Sequence, residues 1–115
     1  MQFTTALLTL ALAALSSAQQ SNVLLGRNVN FAGPSTDQVN LPVTFGACVN
    51  LPAPFAGDLS AIAPNSGTRC FLFNQPNCQG AQPPCANGCP VQGRVNDLGT
   101  IFFNDQTQSL RCERV

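Results

Sequence analysis

The sequence predicts an all-β domain in which two Greek-key motifs close one sandwich that is held by disulfides. Three observations predict it. Short apolar alternations are separated by nine prolines and nine glycines, the punctuation of a small sandwich or barrel. Six cysteines follow an apolar leader, the arrangement of a disulfide-stapled chain in an oxidising compartment. The chain also repeats its landmarks in the same order at nearly one offset, as a duplicated unit does.

Met1 to Ala18 is an Ala/Leu-rich run without a charged side chain, ending in Ser16-Ser17-Ala18. Small residues at Ser16 and Ala18 suit signal-peptidase cleavage before Gln19, although only the α-amino group supplies the usual positive charge. The apolar run from Ala6 to Leu15 is too short to span a bilayer, which takes about 20 residues, and no later segment is longer. We therefore expect residues 1–18 to be a signal peptide. Residues 19–115 then form one small secreted, extracellular domain without a membrane span.

Cys48, Cys70, Cys78, Cys85, Cys89 and Cys112 all follow the leader. An even number in an oxidising setting reads as disulfides, and their spacing leaves the pairing open. With no histidine and no Cys-x-x-Cys pair, a zinc site is the weaker reading.

Charge is sparse and balanced, with five basic and five acidic residues. The arginines (Arg27, Arg69, Arg94, Arg111, Arg114) are scattered, whereas a nucleic-acid or anionic-membrane surface needs basic residues in clusters. Without histidine or lysine, proton transfer near neutral pH and activation of a serine nucleophile lack their usual agents. No spacing among Asp37, Asp58, Asp97, Asp105 and Glu113 singles out a glycosidase-type pair. The expectation is a protein that is not an enzyme and requires no cofactor.

In chain order, the strand candidates are Asn22 to Leu25; alternating Val39, Leu41 and Val43; Thr68 to Phe73; alternating Val91, Gly93 and Val95; Ile101 to Phe103; and alternating Leu110 and Cys112. Nowhere after the leader do apolar residues recur at helical spacing for three turns, so long helices are not expected.

Phe31-Ala32-Gly33 is matched by Cys78-Gln79-Gly80 at an offset of 47, and Val49-Asn50 by Val95-Asn96 at 46. Phe55 to Ile62 is matched by Phe103 to Leu110 at 48. The repeats run from about 22 to 64 and from about 68 to 115. Two copies suit a pair of four-stranded units that share one core.

The second copy contains Phe73-Asn74-Gln75-Pro76-Asn77-Cys78-Gln79-Gly80, which resembles the βγ-crystallin hairpin signature of aromatic, four residues, aromatic, any residue and Gly. Asn104-Asp105-Gln106-Thr107-Gln108-Ser109 resembles that family's calcium motif, Asn/Asp-Asn/Asp-x-x-Ser/Thr-Ser, and Asp97 to Asp105 resembles its lead-in. There are departures. Cys78 stands where the second signature aromatic belongs, as a half-cystine expected to be buried and to anchor the folded-over hairpin. Gly26 stands where the first aromatic of the first repeat belongs, unless one residue is inserted there, in which case a slip of one restores the apolar Leu25. The first calcium-type loop, Ala56 to Ala61, matches only at Ser60, and the second loses its fifth position to Gln108.

The resemblance implies two loops that lie side by side and exchange ligands. Carried over, it allows at most one calcium ion, held weakly by Asn104, Asp105 and Ser109 of one loop with Ser60 of the other, since few carboxylates converge. The degenerate alternative is a loop pair whose task the disulfides have taken over.

Two stretches could recognise a partner. In Gly46 to Ala63, prolines bracket Leu51, Phe55 and Leu59, which serve either a docking surface or the core. In Gln79 to Pro90, two cysteines and three prolines make either a rigid protrusion or a stiff connection. The chain also resembles the small secreted cysteine-rich proteins of filamentous fungi. That resemblance implies an extracellular binding protein, toxin-like or effector-like, whose partner is a protein or cell-surface component. Two further roles are a secreted protease inhibitor using the Gln79 to Pro90 loop, and a structural protein of wall or matrix.

Overall fold

The computed structural model describes residues 19–84 and 90–115. The expected signal peptide and the stretch holding Cys85 and Cys89 lie outside the described residues. Among the described residues there are strands β1 (Gln20–Gly26), β2 (Gln38–Thr44), β3 (Cys48–Asn50), β4 (Ala61–Pro64), β5 (Thr68–Phe73), β6 (Val91–Gln92) and β7 (Ser109–Arg114), joined by turns and short 3-10 segments. One sheet has the order β2-β1-β4 and the other β3-β7-β5-β6.

Alternation sets the inner faces. In β2, Leu41 and Val43 turn inward while Asn40, Pro42 and Thr44 stay exposed. Pro42 cannot donate to a ladder, and β2 is accordingly an edge strand. In the second sheet Cys70 and Leu72 of β5 face Cys112 and Leu110 of β7 in direct register. Cys70 and Cys112 are joined by a disulfide with both residues fully buried. These side chains pack with Val23, Leu25 and Ile62 of the first sheet into one core.

The two halves are intertwined. β3, from the first half, pairs with β7 of the second, Val49 opposite Leu110. In return Val95, from the second half, bridges to Ile62 of β4, each N–H donating to the other's carbonyl at 2.8 and 3.0 Å. The expected pair of units closing one core is present, and each half lends a segment to the other half's sheet, β3 in one direction and the Val95 bridge in the other.

This exchange also corrects the run Val91, Gly93, Val95. Gly93 adopts a left-handed φ of 81°, which ends β6 at Gln92 and lets Val95 cross to the other sheet. Ile101 to Phe103 is not a strand either. Asp97 accepts a hydrogen bond from Gly99 N and starts a 3-10 turn over Leu98–Ile101, which ends at Phe102 in the left-handed region. β3 and β4 escaped the sequence reading because three- and four-residue strands carry too little alternation to register.

Leu51, Phe55 and Leu59 lie in the core, at 6%, 5% and 0% exposure. This resolves Gly46 to Ala63 in favour of packing. Among the described residues no helix is long and apolar enough to cross a membrane.

Candidate functional site

The two loops singled out by their similarity meet across the strand exchange. Gly57 N donates to Thr107 O at 2.8 Å, and Asp105 N donates to Leu59 O at 3.0 Å. These two bonds are the same bond made by each half, because Gly57 corresponds to Asp105 and Leu59 to Thr107. Leu51 N to Gln108 O (3.0 Å) and Leu98 N to Ser60 O (2.8 Å) form a second such pair. Gly57 and Asp105 share a left-handed backbone, φ 73° and 60°, and Phe55 and Phe103 anchor the loops in the core.

The two junctions differ in their donors. At one, the exposed Asn104 and Asp105 approach the chain segment of the buried Ser60 through the Asp105–Leu59 hydrogen bond. Thr107 lies in the same loop, fully buried, and its hydroxyl has no partner among the described residues. Such an orphan hydroxyl is unusual in a folded protein, and nothing in the motif comparison marked it.

At the other junction, the Gln108 amide sits 2.8 Å from the position a β-carbon at Gly57 would take, filling the space left by the missing acid. The remaining carboxylate there, Asp58, is held by Arg27 Nε at 2.8 Å, and Arg27 also reaches Asp37 at 3.1 Å. The hydrogen bond to Asp58, with the charges of both acids, raises the guanidinium pKa further above its usual value. The acid of this half is thus already paired with a guanidinium. No group of three or more Asp, Glu, Cys or His side chains that could hold a metal ion occurs among the described residues.

Ser109, placed in the same ligand set by the resemblance, has a different environment. Its hydroxyl accepts from Cys78 N at 2.8 Å and donates to Gln75 O at 2.6 Å. Both bonds fasten the folded-over hairpin of the second half to β7.

That hairpin has a counterpart in the first half. Asn77, Cys78 and Gly80 have φ of 64°, 56° and 82°, and Asn30, Phe31 and Gly33 have 61°, 54° and 94°. In the second hairpin, Asn50 bonds Asn77 through both side-chain atoms, accepting from its N at 2.7 Å, and Cys48 is disulfide-bonded to Cys78. In the first, Asn30 N donates to Asn96 O at 2.8 Å, and the Arg94 guanidinium lies 4.4 Å over the Phe31 ring. Arg94 corresponds to Cys48 and Asn96 to Asn50, so one half uses a covalent lock where the other uses a cation–π contact.

Cys78 is half-buried and Cys48 exposed, so the expected burial of the Cys78 half-cystine is corrected while its anchoring role stands. The sequence leaves this pairing open, because nothing in the spacing of the cysteines joins Cys48 to Cys78. Gly26, the missing aromatic, has its own reason. A β-carbon there would lie 2.7 Å from the Phe31 ring, so the ring of the second signature position occupies the room that the first has given up.

No protein-family model matches the sequence, and the curated proteins likewise contain no match. Solved structures do match. The N-terminal domain of Protein S superposes with a TM-score of 0.60 at 21% identity, over 82% of this chain and 97% of that one. A βγ-crystallin domain from Flavobacterium johnsoniae gives 0.61 at 18%, over 80% and 93%. The βγ-crystallin domain of Abundant Perithecial Protein from Neurospora crassa, solved in its calcium-bound form, gives 0.57 at 14%, over 82% and 89%.

At these identities the likeness is one of fold, and it places the chain in the class of two-motif, strand-exchanged Greek-key sandwiches. The fold is that of a βγ-crystallin domain. Within it this chain is a disulfide-stapled form, with Cys48–Cys78 on one hairpin and Cys70–Cys112 through the core.

Proposed function

We propose that this chain is a secreted, non-enzymatic binding protein, toxin-like or effector-like, that acts outside the cell on a protein or cell-surface component. In this reading it takes a single, weak calcium ion where Asn104 and Asp105 meet Ser60. The observation that carries the calcium reading is the Asp105 N to Leu59 O bond, which draws an acid of one loop to the hydroxyl-bearing segment of the other. A hard cation needs such oxygen donors from several chain segments.

This reading allows one ion and no more. The second junction has lost its acid to Gly57, its Gln108 amide packs on that glycine, and its Asp58 is engaged by Arg27. Ser109 is assigned to the hairpin, with its hydroxyl bonded on both sides. Phe102, 76% exposed beside this loop, supplies apolar contact to the partner. With one carboxylate in the site, the expected Kd is about 10⁻⁴ to 10⁻³ M, the range of extracellular modules.

Calorimetry on chelator-stripped protein tests the ion. A single weak heat, lost in Asp105→Ala and in Ser60→Ala but kept in Ser109→Ala, is expected. No heat and no rise in melting temperature at millimolar calcium would overturn it. Purified protein is expected to inhibit growth of susceptible cells, and complete inactivity against fungal and plant cells would remove the toxin-like part.

A further inference from the structure

The two disulfides within the described residues belong to different environments. Cys70–Cys112 ties facing positions of two central strands on the core side, and both residues have zero exposure. Cys48–Cys78 lies on the opposite, outer face of the same sheet. Cys48 is exposed on the edge strand β3, and Cys78 sits half-buried in the hairpin that folds over that face. Exchange requires a thiolate to reach a disulfide sulfur. Of these two bonds, only the outer one offers such a sulfur without opening the sheet.

The first half of the molecule shows what the outer bond adds. Its hairpin has the same left-handed residues and lies on its own sheet with no disulfide, held by Asn30 N to Asn96 O, the Arg94–Phe31 stack and the packing of Phe31 on Gly26. The second hairpin keeps four hydrogen bonds apart from its disulfide, two from Asn50 and two through Ser109. The disulfide is therefore an addition to a hairpin that its polar contacts already place.

We propose that Cys48–Cys78 is a thiol–disulfide exchange site, opened in the folded protein by small thiols or by a dithiol oxidoreductase, while Cys70–Cys112 stays closed. The incoming thiolate attacks Sγ of the exposed Cys48. The Cys48–Cys78 bond breaks, a mixed disulfide forms on Cys48, and Cys78 leaves as a thiolate that takes a proton from water. A second thiol of the reductant then displaces Cys48 and departs as the oxidised disulfide. The hairpin is left on its hydrogen bonds, with two free thiols and a higher frequency of opening.

The experiment treats the full secreted chain with dithiothreitol without denaturant, quenches at intervals with an alkylating agent and maps the labelled peptides by mass spectrometry. Labels are expected on Cys48 and Cys78 at least about a hundredfold faster than on Cys70 and Cys112, because buried sulfurs react only when the sheet opens. Equal rates for the two pairs, or labelling only as the protein unfolds, would overturn the proposal. With glutathione, the mixed disulfide is expected on Cys48, and an adduct confined to Cys78 would overturn the assigned direction of attack.

The double variant Cys48→Ser/Cys78→Ser supplies an independent readout. It is expected to melt cooperatively with its β-sheet spectrum intact, and to exchange the amide of Asn77 at least about tenfold faster than the oxidised protein. A variant that does not fold would overturn the claim that the hairpin's other contacts suffice to place it.

Discussion

Arg94 lies 4.4 Å over the ring of Phe31, at the place where the other half of the molecule has the Cys48–Cys78 bond. The two equivalent halves of the fold thus close the same hairpin by different chemistry. The cation–π contact is weaker, and an exposed one contributes about 0.5–1 kcal/mol. Arg94→Ala should lower stability by about that amount in urea unfolding. In a Phe31→Leu background the same change should cost less, since its partner ring is gone, and a double-mutant cycle measures the difference.

Phe31 owes its seat to Gly26. A methyl group at Gly26 would stand 2.7 Å from one ring carbon, 3.2 Å from another and 3.4 Å from the Ala61 methyl. The ring would have to lift off the sheet or the strand shift. Gly26→Ala is expected to destabilise by about 1–3 kcal/mol, the range for overpacking a filled site, read as a fall in the denaturation midpoint at unchanged m-value.

Two buried hydroxyls in neighbouring positions should respond in opposite directions. Ser109 makes two short hydrogen bonds to the hairpin backbone. Ser109→Ala leaves Cys78 N and Gln75 O without that partner, at a cost of about 1–3 kcal/mol. Thr107 is equally buried, but its hydroxyl is unpartnered among the described residues. Thr107→Val keeps the shape and removes the orphan group, so stability without calcium should be unchanged or higher by about 1 kcal/mol. Thermal melts of the two variants, compared with the parent protein, check both signs.

Arg27 joins the first hairpin region to the first calcium-type loop by pairing with Asp37 and Asp58. The hydrogen bond to Asp58 and the charges of both acids raise its guanidinium pKa, so the cation persists wherever the pairs form. Arg27→Gln should lower the melting temperature most at low salt. The difference should shrink in molar salt, which screens partly exposed pairs. A difference independent of salt would assign Arg27 a packing role instead.

Much of this architecture can be read from the chain because it is written twice. The offsets of 46, 47 and 48 that align the sequence are those that relate the paired hydrogen bonds of Gly57 and Asp105, of Leu51 and Leu98, and of Asn30 and Asn77. The strands with alternating faces, β1, β2, β5 and β7, were legible for the same reason, since each lays one row of apolar side chains on the core. The loop pair was legible as a motif. Its orphan Thr107 was not, because Thr at a variable position carries no signal.

An all-β, internally repeated, disulfide-stapled domain follows from composition and periodicity alone, since these are local properties that survive without knowing which strand neighbours which. The exchange of segments between the halves, the bonds Cys48–Cys78 and Cys70–Cys112, and the pairing of Arg27 with Asp58 in the first calcium-type loop are visible in the folded chain alone. Each of these joins residues 30 or more positions apart. Such meetings are selected by the burial of one shared core rather than by any neighbouring residue.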